Sequence, residues 1–288
     1  MISTADPGGM AAQAKAAAEA FRRDQHLGNA PIADLVTVLE GVPNVHVAIE
    51  PAIDDEQHGM RATDPNRGVT VLAASATPHA VRLRSTLAHE LGHHIFNDPT
   101  PAVWSENTPE ERRATEFARH LLIPQEGLID LLGAPGTIEV TDAVLSKVVE
   151  RFAVSPGMAA IQLREAGFIN ASAVERLGRL TTRVLATRYG WLPLYRQWSD
   201  DSNQPRPPRR IVAVAIDAYL AHDATIATVA NLHGMVTPQM RAEFDAAGVN
   251  PEEPEDVQPD IDELGEGAPV DWSSLDAWDD TDPEDEAR

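Results

Sequence analysis

Apolar residues recur at helical spacing in two segments at the start of the chain, residues 11–27 and residues 31–41. The period then changes to alternation at Val45, Val47 and Ile49, which is typical of a half-buried β-strand. Two helices followed by a strand are therefore predicted before residue 50.

A second strand is predicted at residues 68–73, and the polar residues 54–67 are predicted to form a loop between the two strands. Helical spacing returns at residues 85–96 and dominates the rest of the chain as far as residue 248. Helices that precede and follow a short sheet predict an α+β fold.

The segment at residues 89–93 reads His-Glu-Leu-Gly-His on the predicted helix. Because an α-helix turns by about 100° per residue, His89 and His93 project on one face, one turn apart, and can take two corners of one metal site. Glu90 lies beside that pair, where its carboxylate can take a proton from a metal-bound water. Gly92 allows another backbone to approach closely. Two ordinary helix histidines are the alternative, and a third ligand would decide between the two interpretations.

The next predicted helix begins with Thr108 as N-cap and Pro109 at its first position. Glu111 shares a face with an apolar stripe, which consists of Ala114, Ala118, Leu121 and Leu122. A carboxylate on a buried face is costly unless a positive group meets it, and this predicts Glu111 as the third metal ligand. Glu110 and Glu116 are the less favoured choices, and Glu116 is expected to face solvent beside Arg112 and Arg119. Glu111 as a first-turn acid favoured by the helix dipole is the alternative.

Composition narrows the chemistry of the predicted site. The chain has no cysteine, so the metal must be held by histidine and carboxylate. The net charge of −22 is concentrated at the C-terminus, because residues 251–288 carry sixteen acidic residues against Arg288 alone. That tail is poor in apolar residues and is predicted to be disordered. Within it, the spacing of Trp272, Leu275 and Trp278 would suit a short helix on a partner's groove, against the alternative of a solvated tail.

Two motifs resemble those of a known family. Residues 86–93 read Thr-Leu-Ala-His-Glu-Leu-Gly-His, and residues 111–124 follow the pattern E-x-x-A-x-x-F-A-x-x-L-L-x-P. Both are similar to motifs of the ImmA/IrrE family of zinc metallopeptidases, over roughly residues 12–170. The resemblance implies a zincin-like core of gluzincin type, with Zn²⁺ held by His89, His93 and Glu111 and with Glu90 as general base. In two positions the chain departs from the family pattern, since Thr115 stands where asparagine is usual and Arg113 where a second acid is common.

Four regions are predicted along the chain. Residues 1–133 form the metallopeptidase core, residues 134–170 a helix-turn-helix-like extension for which a plain helical hairpin is the favoured interpretation, residues 171–248 a helical C-terminal domain with a linker near 200–210, and residues 249–288 the disordered acidic tail. Ser155 is predicted to cap the second helix of the extension.

The resemblance implies peptide-bond hydrolysis of a protein substrate, typically a DNA-binding transcriptional repressor of a mobile element or a stress response. One alternative is a non-catalytic regulator that keeps zinc as a structural clip and binds a repressor or DNA. The other is an acidic tail that mimics DNA and occupies a basic partner. Direct binding to nucleic acid is not expected, because the C-terminal helices carry few arginines. Neither a membrane span nor a secretory signal is recognised, and the expected location is the cytoplasm.

Overall fold

The computed structural model describes residues 7–51, 59–99 and 108–252. The described residues as far as Asn250 belong to one compact unit. The predicted acidic tail, with Trp272, Leu275 and Trp278, lies outside the described residues apart from its first four positions.

The described residues form three strands and thirteen α-helices: two helices precede the strands and eleven follow them. The strands are β1 (Val45–Glu50), β2 (Gly59–Asp64) and β3 (Val69–Ser75). The helices are α1 (Pro7–Asp24), α2 (Leu35–Glu40), α3 (Ala80–Ile95), α4 (Pro109–Leu122), α5 (Gln125–Leu132), α6 (Asp142–Phe152), α7 (Pro156–Glu165), α8 (Ala171–Gly178), α9 (Thr182–Arg188), α10 (Leu192–Ser202), α11 (Arg209–Leu220), α12 (Ile226–Leu232) and α13 (Thr237–Ala247). In the described part of the chain no helix is both long enough and apolar enough to cross a bilayer.

The three strands form one sheet in the order β1–β3–β2, which confirms the predicted α+β class. β1 runs parallel to β3 and β2 runs antiparallel to it. The prediction of a loop at residues 54–67 was wrong over residues 59–64, where β2 lies. β2 is polar because it is an outer strand with no fully buried residue, so it lacks the apolar alternation by which a strand is recognised.

The main hydrophobic core lies between the sheet and helices α1, α3 and α4. Phe117 of α4 is fully buried there and packs edge-on against Phe21 and Phe96. The same cluster continues through α6, α7 and α9 to Trp191. The helix that carries His89 and His93 is therefore fixed on its apolar side by packing.

Helix α4 begins as predicted, with Pro109 in its first turn and the Thr108 side chain accepting a hydrogen bond from the Glu111 backbone N–H. The predicted exposure of Arg119 was wrong, since it is 3% exposed. Its guanidinium pairs with Glu116 and donates to Gln162 of α7. Helix α7 covers a face of α4 that the periodicity of α4 alone assigns to solvent.

Past the core helices, the chain returns to the sheet. Helix α7 is capped by Ser155, as predicted. Ser202, at the end of α10, donates its hydroxyl to the Thr77 carbonyl, and Arg206 exchanges two backbone hydrogen bonds with Ile49 of β1. Helices α11–α13 then form a separate small cluster around Tyr219, Val229, Ala230 and Phe244.

Gly92→Ala is expected to destabilise the protein by about 1–3 kcal/mol, because a methyl group there overpacks the contact between α3 and α4. A Cβ atom at Gly92 would lie 3.0 Å from the Ala114 Cα, which is backbone and cannot rotate away. This close approach agrees with the prediction made for Gly92. Gly157→Ala is the matched control, since a Cβ atom there meets nothing within 4 Å. Urea unfolding of both variants measures the difference, and equal stabilities would contradict the packing argument.

Candidate metal centre

His89 and His93 lie on one face of α3 and present their ring nitrogens to a common point. Their ring centroids are 4.7 Å apart and their Nε2 atoms are 3.0 Å apart. Leu87, Ala88 and Leu91 occupy the opposite, buried side of the helix. The helical spacing thus brings the two imidazoles together as predicted.

Glu111 reaches the same point from α4. Its Oε2 atom lies 2.9 Å from His89 Nε2, and its Oε1 atom lies 3.3 Å from His93 Nε2. The first turn of α4, fixed by the Thr108 cap, directs this carboxylate toward α3. Glu110 and Glu116 do not belong to the cluster, and Glu116 pairs instead with Arg119. Of the three acids considered from the sequence, the structure places Glu111 beside both histidines.

Contacts on the far side of each imidazole determine which nitrogen faces the cluster. The Asp98 carboxylate lies 2.9 Å from His93 Nδ1, so this nitrogen donates its proton to Asp98 and Nε2 keeps its lone pair. His89 Nδ1 lies 3.3 Å from Thr115 Oγ1, and the hydroxyl can accept its proton in the same way. With these tautomers, two imidazole lone pairs and a carboxylate converge.

This donor set suits a divalent metal ion. Neither the lone pairs nor the Glu111 carboxylate can donate a hydrogen bond to the others, so a cation at their centre would remove the repulsion. A tetrahedral zinc with bonds of about 2.0–2.1 Å would hold its ligand atoms about 3.3 Å apart. The separations of 2.9, 3.0 and 3.3 Å come close to that value. The residues present therefore fit zinc, with a fourth position open.

The electrostatics favour neutral imidazole at His89. Burial, and then the neighbouring His93, lower the pKa of His89, against the opposing influence of Glu111. Only neutral imidazole can ligate a metal, because protonation consumes the lone pair. The cluster thus keeps His89 in the form that binds a cation.

Glu90 lies next to the cluster but outside the ligand set. Burial raises the pKa of its carboxyl to about 7, and the charge of Glu111 acts in the same direction. Gly59 of β2 covers it so closely that a Cβ atom there would stand 2.8 Å from Glu90 Oε1. The structure thus places Glu90 beside the predicted metal ligands, with a pKa suited to exchanging protons near neutral pH.

Asp98 is the main residue that sequence reasoning missed. Its side chain is 3% exposed and pairs with Arg113, while its backbone carbonyl accepts a hydrogen bond from Arg61 of β2. Arg113 also packs over the Phe96 ring, at 4.2 Å from the centroid. Both Arg113 and Thr115, the two departures from the family pattern, therefore lie around the ligands. The sequence signal that could have identified Asp98 is its position, because it is an acidic residue just beyond the end of α3, the helix that carries His89 and His93.

A second group of acids and histidine, Glu116, His120 and Glu165, also has metal-ligand geometry. Arg119 pairs with Glu116 and Glu165, at 2.6 Å from Glu165 Oε2. Burial lowers the pKa of His120 to about 4, and the charge of Arg119 adds to this effect. A guanidinium already neutralises these carboxylates, so this group is explained as a structural ion network.

Asp98→Asn is expected to weaken metal binding by about 10- to 100-fold while leaving the fold intact, because the amide holds the His93 tautomer less firmly than a carboxylate does. Asp130→Asn is the matched control, since Asp130 accepts a hydrogen bond from Asn29 away from the cluster. Competition with a chromophoric zinc chelator measures both affinities. Equal affinities in the two variants would contradict the positioning role of Asp98.

Comparison with known proteins agrees with the geometry. Residues 41–164 match a family model, Peptidase_M78, described as the IrrE N-terminal-like domain. No curated protein matches the chain. The matched residues include His89, Glu90, His93 and Glu111, whose individual roles stay predictions.

Proposed function

Because residues 41–164 match the model of the IrrE N-terminal-like domain, we propose that the protein is a zinc-dependent metallo-endopeptidase of the ImmA/IrrE family. The match to a peptidase family points to peptide-bond hydrolysis. Zinc as the metal, the zincin-like character of the core and a protein as substrate are parts of the proposal.

One observation carries it. His89 Nε2, His93 Nε2 and a Glu111 carboxylate oxygen lie within 4.8 Å of one another, with the Glu90 carboxyl beside them. Two imidazoles and one carboxylate are a ligand set of catalytic zinc sites, which keep one position open. A structural clip would use four protein ligands, and the described residues supply three at this point.

Each residue then has a chemical task. Zinc, when bound, supplies Lewis acidity toward water and toward a peptide carbonyl. The Glu90 carboxylate accepts a proton from the attacking water and later donates it to the nitrogen of the leaving amine. Asp98 and Thr115 hold the two imidazoles in the required orientation.

The outer edge of β2 offers a place for the substrate backbone. Within the described residues, β2 pairs only with β3, so its other edge carries unpaired backbone groups. An extended peptide can add to such an edge through main-chain hydrogen bonds. Because Gly59 of β2 lies against Glu90, a peptide on this edge would run past the general base.

The substrate class follows from the resemblance to the ImmA/IrrE family. A DNA-binding transcriptional repressor, cleaved in the cytoplasm, is the proposed substrate. Proteins of this kind carry a basic surface, which would attract an acidic chain with a net charge of −22.

The test is to incubate the purified protein with the repressor encoded beside its gene, with and without 1,10-phenanthroline. Cleavage that the chelator abolishes and added zinc restores is the expected result, read by mass spectrometry of the fragments. Cleavage that persists in chelator would contradict the zinc mechanism. Tight binding of the intact repressor without cleavage would instead support the non-catalytic regulator. If that binding requires residues 251–288 and competes with DNA, it would support the DNA mimic.

A further inference from the structure

A large cavity lies beside β1, at one edge of the sheet. Its volume is about 730 Å³, within the range of small-molecule sites. It is lined by Ile49 of the outer strand β1, whereas Glu90 lies against β2, the outer strand at the other edge. The cavity is thus separate from the candidate catalytic site, although Arg84, which lines it, belongs to the same helix as His89.

Arg84 is the unusual feature of the cavity wall. Its Nη2 atom donates to the Ile32 carbonyl at 2.7 Å, but its Nε–H is buried and has no partner. Among the described residues, no carboxylate oxygen lies within the 4.0 Å of an ion pair with this guanidinium. Buried donors without a partner are rare and costly, and a buried charge without a counter-ion is more so.

The protonation state of Arg84 does not relieve this cost. Burial lowers its pKa to about 10, so the guanidinium stays charged at neutral pH. Asp34 is close enough to favour the charged form, but its carboxylate already caps α2 by accepting from the Thr37 backbone N–H. A positive charge without an ion-pair partner therefore lines the cavity, and an anion bound there would neutralise it.

The rest of the cavity wall is largely apolar, so an anion with an apolar portion would fit it best. Pro31, Val36, Leu83 and Trp198 contribute apolar surface. The other charged lining residues are Glu150, Arg151, Asp201 and Arg206, and Arg206 lies 3.6 Å from the Glu40 carboxylate. Arg151 is exposed to solvent, so Arg84 is the guanidinium of the lining that is buried without an ion-pair partner.

We propose that this cavity binds a small amphiphilic anion, with one carboxylate or phosphate group at Arg84 and an apolar body against Val36, Leu83 and Trp198. The proposal does not depend on peptidase activity. Carboxylate and phosphate share the required chemistry, since both present negatively charged oxygen acceptors to the Arg84 guanidinium.

The test is isothermal titration calorimetry of the full-length, zinc-loaded protein with octanoate, octyl phosphate, 1-octanol and inorganic phosphate. A charge-assisted hydrogen bond in a buried site predicts that at least one of the two anionic amphiphiles binds about 10- to 100-fold more tightly than 1-octanol. The stronger of the two identifies the headgroup. Inorganic phosphate is expected to bind weakly, because it lacks the apolar body.

Two variants and one control locate the site. Arg84→Met should remove the preference for the anion over 1-octanol, while Arg82→Met, an exposed charge removed from the same helix, should leave it unchanged. Val36→Phe should weaken binding of the preferred anion at least about 10-fold by filling the cavity, and it decides the matter if Arg84→Met does not fold. Equal binding of the anions and 1-octanol by the wild type would overturn the proposal. So would undiminished anion binding by Val36→Phe, or a preference that survives in folded Arg84→Met.

Discussion

Glu90→Gln is expected to lower the rate of peptide cleavage by about 10²- to 10⁴-fold while zinc content and thermal stability stay at wild-type values. The amide has the size of the carboxylate but cannot accept a proton from water. Since Glu90 lies outside the group of His89, His93 and Glu111, its replacement removes no ligand. The measurement combines cleavage kinetics with metal analysis of the same preparation.

Glu126→Gln is a matched control, because it removes a carboxylate from α5, outside the cluster, and should leave the rate unchanged. A Glu90→Gln variant that cleaves at a near wild-type rate would show that another group accepts the proton. A variant that loses both zinc and activity would instead place Glu90 among the ligands.

The second large effect concerns the ligand set itself. The purified protein is expected to contain about one zinc per chain, and His89→Ala, His93→Ala and Glu111→Gln should each weaken zinc binding by more than about 100-fold. Removing a residue that binds the metal directly should lower the affinity more than removing a residue that only orients a ligand, which costs about 10- to 100-fold. Metal analysis after dialysis against a weak chelator checks this.

The controls for that experiment are Glu110→Gln and Glu116→Gln, the two acids that the sequence left as less favoured choices. Both should retain zinc, because neither belongs to the cluster in the structure. Full zinc occupancy in Glu111→Gln, with loss in either control, would move the third ligand to that control residue.

The central part of the site could be predicted from the sequence because the geometry of a helix depends only on residues a few positions apart. The spacing of His89 and His93 fixes their common face without reference to any other segment. Glu111 could be selected because the apolar stripe of α4 shows which side of that helix is buried. In both cases a short-range pattern determined the outcome.

What the sequence did not reveal depends on contacts between distant segments. Asp98 orients His93 only because the chain turns back after α3, and no periodicity describes that turn. The exposure of Arg119 was predicted wrongly because α7 supplies the Gln162 partner. Strand β2 escaped recognition because an outer strand needs little apolar surface to pair with β3. The cavity at Arg84 is assembled from the N-terminal segment, α3, α6 and α10, so no single stretch shows it.

The backbone pairing of Arg206 with Ile49 has a consequence for folding during synthesis. β1 is an outer strand of the sheet, and Arg206 closes part of its free edge with two hydrogen bonds. On the ribosome, the segment that matches the peptidase family is complete long before residue 206 leaves the exit tunnel. Until then the β1 edge stays unpaired at Ile49, and unpaired strand edges recruit other chains. Slow elongation between residues 164 and 206 should therefore favour aggregation of the nascent chain over its correct completion.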